Sequence, residues 1–340
     1  MTPDPDRVAT ARTLLAQLGI SVADLLVEHS DPTTVAEYLP RVRAAASAAA
    51  NRSYGSYWNR MVAAWGDRPL TSIAATDVEA FQRECARTAR RRRNGRGGRH
   101  AGENAITAAR AMFNRAIADG LIAATASPAH QVPKPRRLPS PRRALTPNEL
   151  TEINQVVRTS GNDAVLDALL LRLHTETACR RGGALSLRLM DLDTVHGLVL
   201  LQEKGETLRW QPVTLDLAAR LEAHAATRGA VRPTDQLLRY RDGRGLTSRR
   251  YDHLWKRIGD RLPWVAAQNV STHWLRHTTL TWVERNFGYG IARAYAGHTD
   301  NTGPATTTYV KADLQAVATA LAAMTGQPHP LAASLEDLGM

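Results

Sequence analysis

The chain has 340 residues, with 44 Lys and Arg against 32 Asp and Glu and a formal net charge of +12. That length predicts about two domains, each able to bury its own core, and the positive excess points to an anionic partner, nucleic acid first. No run approaches the ~18 apolar residues of a membrane span, and MTPDPDRVATART lacks the cationic start and apolar core of a signal peptide, so a cytoplasmic protein with no membrane partner is expected.

Residues 7–29 carry helical apolar spacing (Val8, Leu14, Leu15, Leu18, Ile20, Val22, Leu25, Leu26), with Gly19 and Ser21 splitting the run. This stretch is not basic, and 1–33 reads as an N-terminal helical extension that docks or caps. Residues 34–125 contain several helical stretches and little strand signal, so a small helical core DNA-binding domain is expected. In it Thr76 or Asp77 is placed to cap one helix, and Gly120 to end another. Cys85 lies here and Cys179 further on; with no CxxC or zinc spacing, both read as reduced, buried thiols.

Between two of these helices lies RRRRNGRGGRH. Its arginines, Arg90, Arg91, Arg92, Arg93, Arg96 and Arg99, suit a loop that orders along DNA phosphates. Residues 126–143 are rich in Pro and Arg and read as an extended linker, with Lys134, Arg136 and Arg137 as further backbone contacts. The second domain, 144–325, opens on LTPNEL. There Thr146 caps a helix, Pro147 takes its first position and Glu149 completes a capping box. AVLDALLLRLHTETA reads as a buried helix, and HGLVLLQEKGETLRWQPVTL as a β-hairpin with Lys204 at its tip. Further helices follow, and Ser248, Arg249 and Arg250 open one of them as candidate DNA contacts. Residues 326–340 read as a tail. The expected fold is mainly α: a helical domain, then a mostly helical α/β domain with a small antiparallel sheet.

STHWLRHTTL, residues 271–280, sets His273 and His277 one helical turn apart. A zinc site is disfavoured, because Trp274 stands where the zinc-protease pattern has its Glu, and Arg276 would put a fixed cation beside the metal. Other stretches change the reading. Arg180 follows the apolar helix in TACRR, His298 sits in AGHTD, and Tyr309 ends a run of threonines in TTTY. In order, Arg180, Lys204, His273, Arg276, His298 and Tyr309 resemble the tyrosine recombinase (phage integrase) family. Its patterns are TGLR, a hairpin lysine, HxLRH, GH and a late tyrosine. The resemblance spans about residues 40–325 and implies a SAM-like core-binding domain, a catalytic domain and no metal or other cofactor.

The chemistry accounts for these residue types. A phosphodiester gathers charge on its non-bridging oxygens in the transition state, and two guanidiniums, Arg180 and Arg276, can clamp them. Tyr309 is the nucleophile that forms a 3′-phosphotyrosine bond. His273 serves as base or orients the phosphate, Lys204 protonates the leaving 5′-oxygen, and His298 donates to a non-bridging oxygen. The resemblance implies the same roles, and a tetramer acting on two paired duplex sites. Arg181 reads as solvated and His277 as support, while Tyr289 and Tyr295 are rival nucleophiles without the threonine context. Two departures stand out. Gly183 replaces the family's usual Glu, so a buried partner for Arg180 is sought at Asp191 or Asp193. The interval from His298 to Tyr309 is about two residues longer than usual. The expected function is site-specific recombination that integrates, excises or resolves an element. A type IB topoisomerase-like enzyme and a non-catalytic DNA-binding regulator remain open.

Overall fold

The computed structural model describes residues 5–18, 33–89, 98–136, 142–202, 208–298 and 314–333. The chain divides into two compact units, Met1–Leu138 and Pro139–Met340.

In the first unit, helices α1 (Pro5–Gln17), α2 (Val35–Ala45), α3 (Ala48–Trp65), α4 (Ala75–Arg87), α5 (Arg99–Ala118) and α6 (Pro128–Gln131) are described. Helical spacing explains the core: Trp58, Met61 and Trp65 form one stripe of α3. On α5, Ala105, Ala108, Ala109 and Ala116 stand among Ile106, Met112 and Phe113. The small residues let neighbours approach closely, and the Trp58 indole N–H reaches the Ala108 carbonyl at 3.1 Å.

Two local readings are corrected here. The α4 helix starts at Ala75, so Thr76 lies inside it. Asp77, its third residue, accepts the Ala74 N–H at 2.8 Å. The segment from 126 is not extended throughout: Pro128 opens the short α6, and Ala129 and Val132 are buried in the first unit's core. Proline at a first helical position loses no hydrogen bond, so its abundance did not forbid this turn.

The second unit contains α7 (Pro147–Thr159), α8 (Ala164–Thr177), α9 (Arg181–Ser186), α10 (Leu215–Thr227), α11 (Ser248–Arg261), α12 (Pro263–Gln268), α13 (Thr272–Ala296) and α14 (Leu314–Thr325). Thr146 accepts the Glu149 N–H at 3.2 Å, and the Glu149 carboxylate accepts the Thr146 N–H at 2.8 Å, completing the expected capping box. Helix α8 buries nine of its residues, five leucines and four polar groups (Asp167, His174, Glu176 and Thr177), and is a central element of the unit. Strands β1 (Leu192–Asp193), β2 (Leu198–Gln202) and β3 (Leu208–Pro212) form an antiparallel sheet in the order β1-β2-β3. The hairpin register runs from Leu198 opposite Pro212 to Gln202 opposite Leu208.

Helix α14 buries Val317, Ala320 and Leu321 in a cluster with Val283, Ala292 and Tyr295, so its apolar face covers its own unit. The first tail residues pack as well: His329 is buried and its Nε2 lies 3.1 Å from the Gly197 carbonyl.

His224 on α10 makes the unit sensitive to acid. Its ring is buried, and Nε2 accepts the Arg239 N–H at 3.2 Å. Burial first, then the Arg228 charge, hold its pKa down to about 4. Unfolded imidazole titrates near ~6.5, so below that pH the unfolded chain binds a proton that the folded chain refuses. This stability is fully present above about pH 6.5 and is lost on going down to about 4, by roughly 3 kcal/mol. Melting temperatures measured across that window should fall, and His224→Gln should flatten the fall.

Candidate active site

Two helices of the second unit build the site, the end of α8 and both ends of α13; α13 breaks at Gly288 (φ 83°, ψ 169°), so its two halves need not run on in one line. After Thr177 the chain leaves α8 through Ala178, whose left-handed backbone (φ 50°, ψ 21°) closes the helix with its N–H on the His174 carbonyl. An L-residue there is strained by about 1–2 kcal/mol, which glycine would avoid. The turn delivers Arg180 to the N-cap position of α9.

A buried polar brace sits behind this turn. The His174 ring lies 3.1 Å from the Cys179 carbonyl through Nδ1 and 2.9 Å from the Tyr251 hydroxyl through Nε2. A carbonyl only accepts, so Nδ1 carries the proton and Nε2 accepts from Tyr251. Burial pushes the Tyr251 phenol well above its ordinary pKa, consistent with a structural donor.

Arg276 joins the two turns. It is 4% exposed; its guanidinium donates to the carbonyl of Ala178 and, at 2.8 Å, to that of Ala296. Each acceptor lies two residues before a predicted site residue, Arg180 and His298. The second turn is shaped by Gly297 (φ 65°), where a Cβ would stand 2.3 Å from Arg209 Nε. His273, from the first turn of α13, and His298 are both exposed.

The electrostatics show the same convergence. Burial, then Arg142, Arg276 and Arg180, lower the pKa of His273. Burial, then Arg276, Arg180, Arg293 and Arg209, lower that of His298. Two guanidiniums thus face both imidazoles, which stay neutral near pH 7. Arg180 and His273 also line an open cleft of about 640 Å³, along with Cys179, Arg181, Tyr251, Asp252 and Trp255. The cluster gathers two fixed cations and two neutral rings, of which Arg180 and His273 line the cleft.

Arg276→Ala is expected to remove both the charge and the tether. Two buried carbonyls would lose a donor, which costs about 2–4 kcal/mol of stability. Any reaction that develops phosphate charge here should slow on the order of 10²- to 10³-fold. Denaturant unfolding and single-turnover DNA cleavage measure the two effects, and Arg276→Lys, which cannot fork to both carbonyls, should recover little of either.

Of the six predicted catalytic residues, Arg180, His273, Arg276 and His298 come together; Lys204 and Tyr309 lie outside the described residues. So do Arg90, Arg91, Arg92, Arg93, Arg96 and Arg137, while Arg99, Lys134, Arg136, Ser248 and Arg249 are exposed. Arg250 is corrected: it is 7% exposed and donates through Nε to Asp167 at 2.7 Å. The proposed partners for Arg180 are corrected as well. Asp191 accepts the Arg188 N–H at 2.8 Å, and Asp193 accepts from Val195 and His196. His277 bonds along its own helix to Thr281 at 2.9 Å. Tyr295 is fully buried and donates to the Glu176 carbonyl, which rules it out as an accessible nucleophile in this fold. Arg209 was missed in the sequence; a cation between Leu208 and Trp210 in a short strand was the available signal. Among the described residues, no group of three or more His, Cys, Asp or Glu is placed to hold a metal, and no helix is long and apolar enough to cross a membrane.

Comparison with known proteins agrees with this geometry. A lambda integrase tetramer bound to a Holliday junction matches with a TM-score of 0.62 at 16% identity, over 89% of this chain and 90% of that one. A lambda integrase dimer bound to a COC′ core site matches at 0.60 and 17% identity, over 79% and 97%. The Tn1549 transposon integrase with a circular-intermediate DNA matches at 0.57 and 14% identity, over 82% and 95%. At these identities the likeness shows the fold. No curated protein is significantly similar in sequence. The model of the phage integrase family matches residues 143–315, just over half of the chain and most of the unit that holds the cluster, and the chain belongs to that family.

Proposed function

We propose that the protein is a tyrosine-type site-specific recombinase that cleaves and rejoins duplex DNA through a 3′-phosphotyrosine intermediate. One observation carries the reading: Arg180, His273, Arg276 and His298 come together from separated stretches, with Arg276 bonded to the turns before Arg180 and His298 and both cations acting on both rings. Arg180 and Arg276 hold the non-bridging oxygens of the scissile phosphate and stabilise the charge that grows on them. His298 donates to one of those oxygens. His273, neutral because burial and cations lower its pKa, accepts the phenol proton of Tyr309 or orients the phosphate. The Tyr309 oxygen attacks phosphorus, the 5′-oxygen leaves, and Lys204 protonates it. The phosphotyrosine bond conserves the phosphodiester, so resealing needs no ATP, and the cations take the part that a metal plays elsewhere.

In this reading, residues 34–125 grip the core DNA, with the arginines of 90–99 and the basic residues of 126–143 along the backbone, and 144–325 carry the chemistry. A homotetramer on two sites is the working assembly, supported by the lambda integrase tetramer on a Holliday junction. This reading has the protein act on chromosomal or mobile-element DNA in the cytoplasm.

The test is a nicked suicide duplex bearing the site that the protein selects from a random library. A denaturant-stable protein–DNA adduct is expected, and the DNA-linked peptide should contain Tyr309. If no adduct forms, or if the link maps to Tyr289, the reading fails. Strand exchange between two such duplexes, rather than relaxation alone, marks a recombinase.

A further inference from the structure

Arg181 follows Arg180 and was read from the sequence as a solvated charge. It is exposed, as that reading had it, and it also lines the same cleft, at the first position of α9, where its Nη1 lies 3.2 Å from Asp252 Oδ1 on α11. Both side chains remain open to solvent, Arg181 at 48% and Asp252 at 70%. Among the described residues lining this cleft, Asp252 is the one carboxylate. Its face of α11 is otherwise marked by exposed cations, Arg249 one turn before it and Lys256 one turn after. Lys256 is engaged at 2.7 Å with Asp260.

A lone carboxylate inside a cation-lined cleft opposes a polyanion. A guanidinium donates to carboxylate and phosphate oxygens with the same fork geometry. An exposed ion pair is weak, so exchanging one anion for the other meets little resistance. Phosphate contact also releases condensed counterions, which favours the exchange further. We propose that Arg181 is a DNA-backbone-binding residue beside the catalytic cluster, and that Asp252 holds it, without DNA, where a phosphate oxygen sits in the complex. Asp252 then sets affinity: it keeps the cleft from holding every duplex tightly and keeps Arg181 extended for the exchange. This rests on the recombinase reading, since it takes duplex DNA as the cleft's ligand.

The experiment needs no knowledge of the target site, because backbone contact is independent of sequence. Binding of the full-length protein to a mixed-sequence duplex of about 30 base pairs is measured by anisotropy over a salt series. Arg181→Gln should weaken binding severalfold and make the slope of log K against log salt shallower by about one. Arg181→Lys should keep that slope while recovering part of the affinity. Asp252→Asn should strengthen binding severalfold, and this gain should vanish in the Arg181→Gln background. Circular dichroism melts of each variant confirm folding, which is expected because both side chains are exposed.

Three results overturn the proposal. Arg181→Gln could leave affinity and slope unchanged. Asp252→Asn could weaken binding, making Asp252 itself a DNA contact. The Asp252→Asn gain could persist without Arg181, making it general repulsion. Failure of the wild-type protein to bind any duplex would instead overturn the recombinase reading, and this proposal with it.

Discussion

Tyr309→Phe is expected to abolish the covalent DNA adduct while leaving duplex binding and thermal stability unchanged. Only the hydroxyl oxygen is removed, and that oxygen is the atom that would bond to phosphorus. Loss of a nucleophile takes away the whole covalent path rather than a fraction of its stabilisation, so cleavage should fall by roughly 10⁴-fold or more. The controls are the other two tyrosines of the region. Tyr295→Phe loses one buried hydrogen bond to the Glu176 carbonyl, about 1 kcal/mol, and should still form the adduct. Tyr289, 63% exposed and bonded at 2.9 Å to Arg293, should be dispensable. A Tyr309→Phe protein that still forms adduct would refute the assignment.

Asp167→Ala should produce the largest loss of stability. Asp167 is fully buried on α8; it accepts from Arg250 Nε at 2.7 Å and from Arg257. Arg250 also donates to Asn162 at 2.7 Å and to the Asp163 carbonyl at 3.1 Å, so it cannot swing out without breaking three contacts. Removing the carboxylate leaves a buried guanidinium uncompensated, which costs about 3–5 kcal/mol. Urea unfolding of the full chain by tryptophan fluorescence reads this as a lower midpoint for the second unit. Replacing Asp167 and Arg250 together by apolar residues should cost less than Asp167→Ala alone. If the single variant is as stable as wild type, the network does not hold α11 on α8.

Much of this architecture was legible because it is local. Apolar spacing marked α8 as central, the Thr146–Glu149 capping box marked the start of α7, and an apolar run broken at Lys204-Gly205-Glu206 and then resumed marked the β2–β3 hairpin. The catalytic candidates were legible from short motifs whose order survives in the chain. The missing parts come from contacts between segments far apart. Nothing near Arg276 announces that its guanidinium serves the carbonyls of Ala178 and Ala296. Arg250 looks the same in sequence as Arg249, yet one is buried against Asp167 and the other is exposed. Arg181 likewise owes its place to Asp252, 71 residues away. Strand β1 is two residues long, too short for alternation to show.

Arg276 also bears on how the site responds to thermal motion. It rides on α13 with His273, and it holds the turns that carry Arg180 and His298. Because α13 breaks at Gly288, Arg276 is a direct tie between its first half and the turn that carries His298, and a displacement of that half pulls on the Arg180 and His298 turns in common mode. Catalysis depends on the mutual spacing of these groups to within about 0.5 Å, not on the helix's position in the unit.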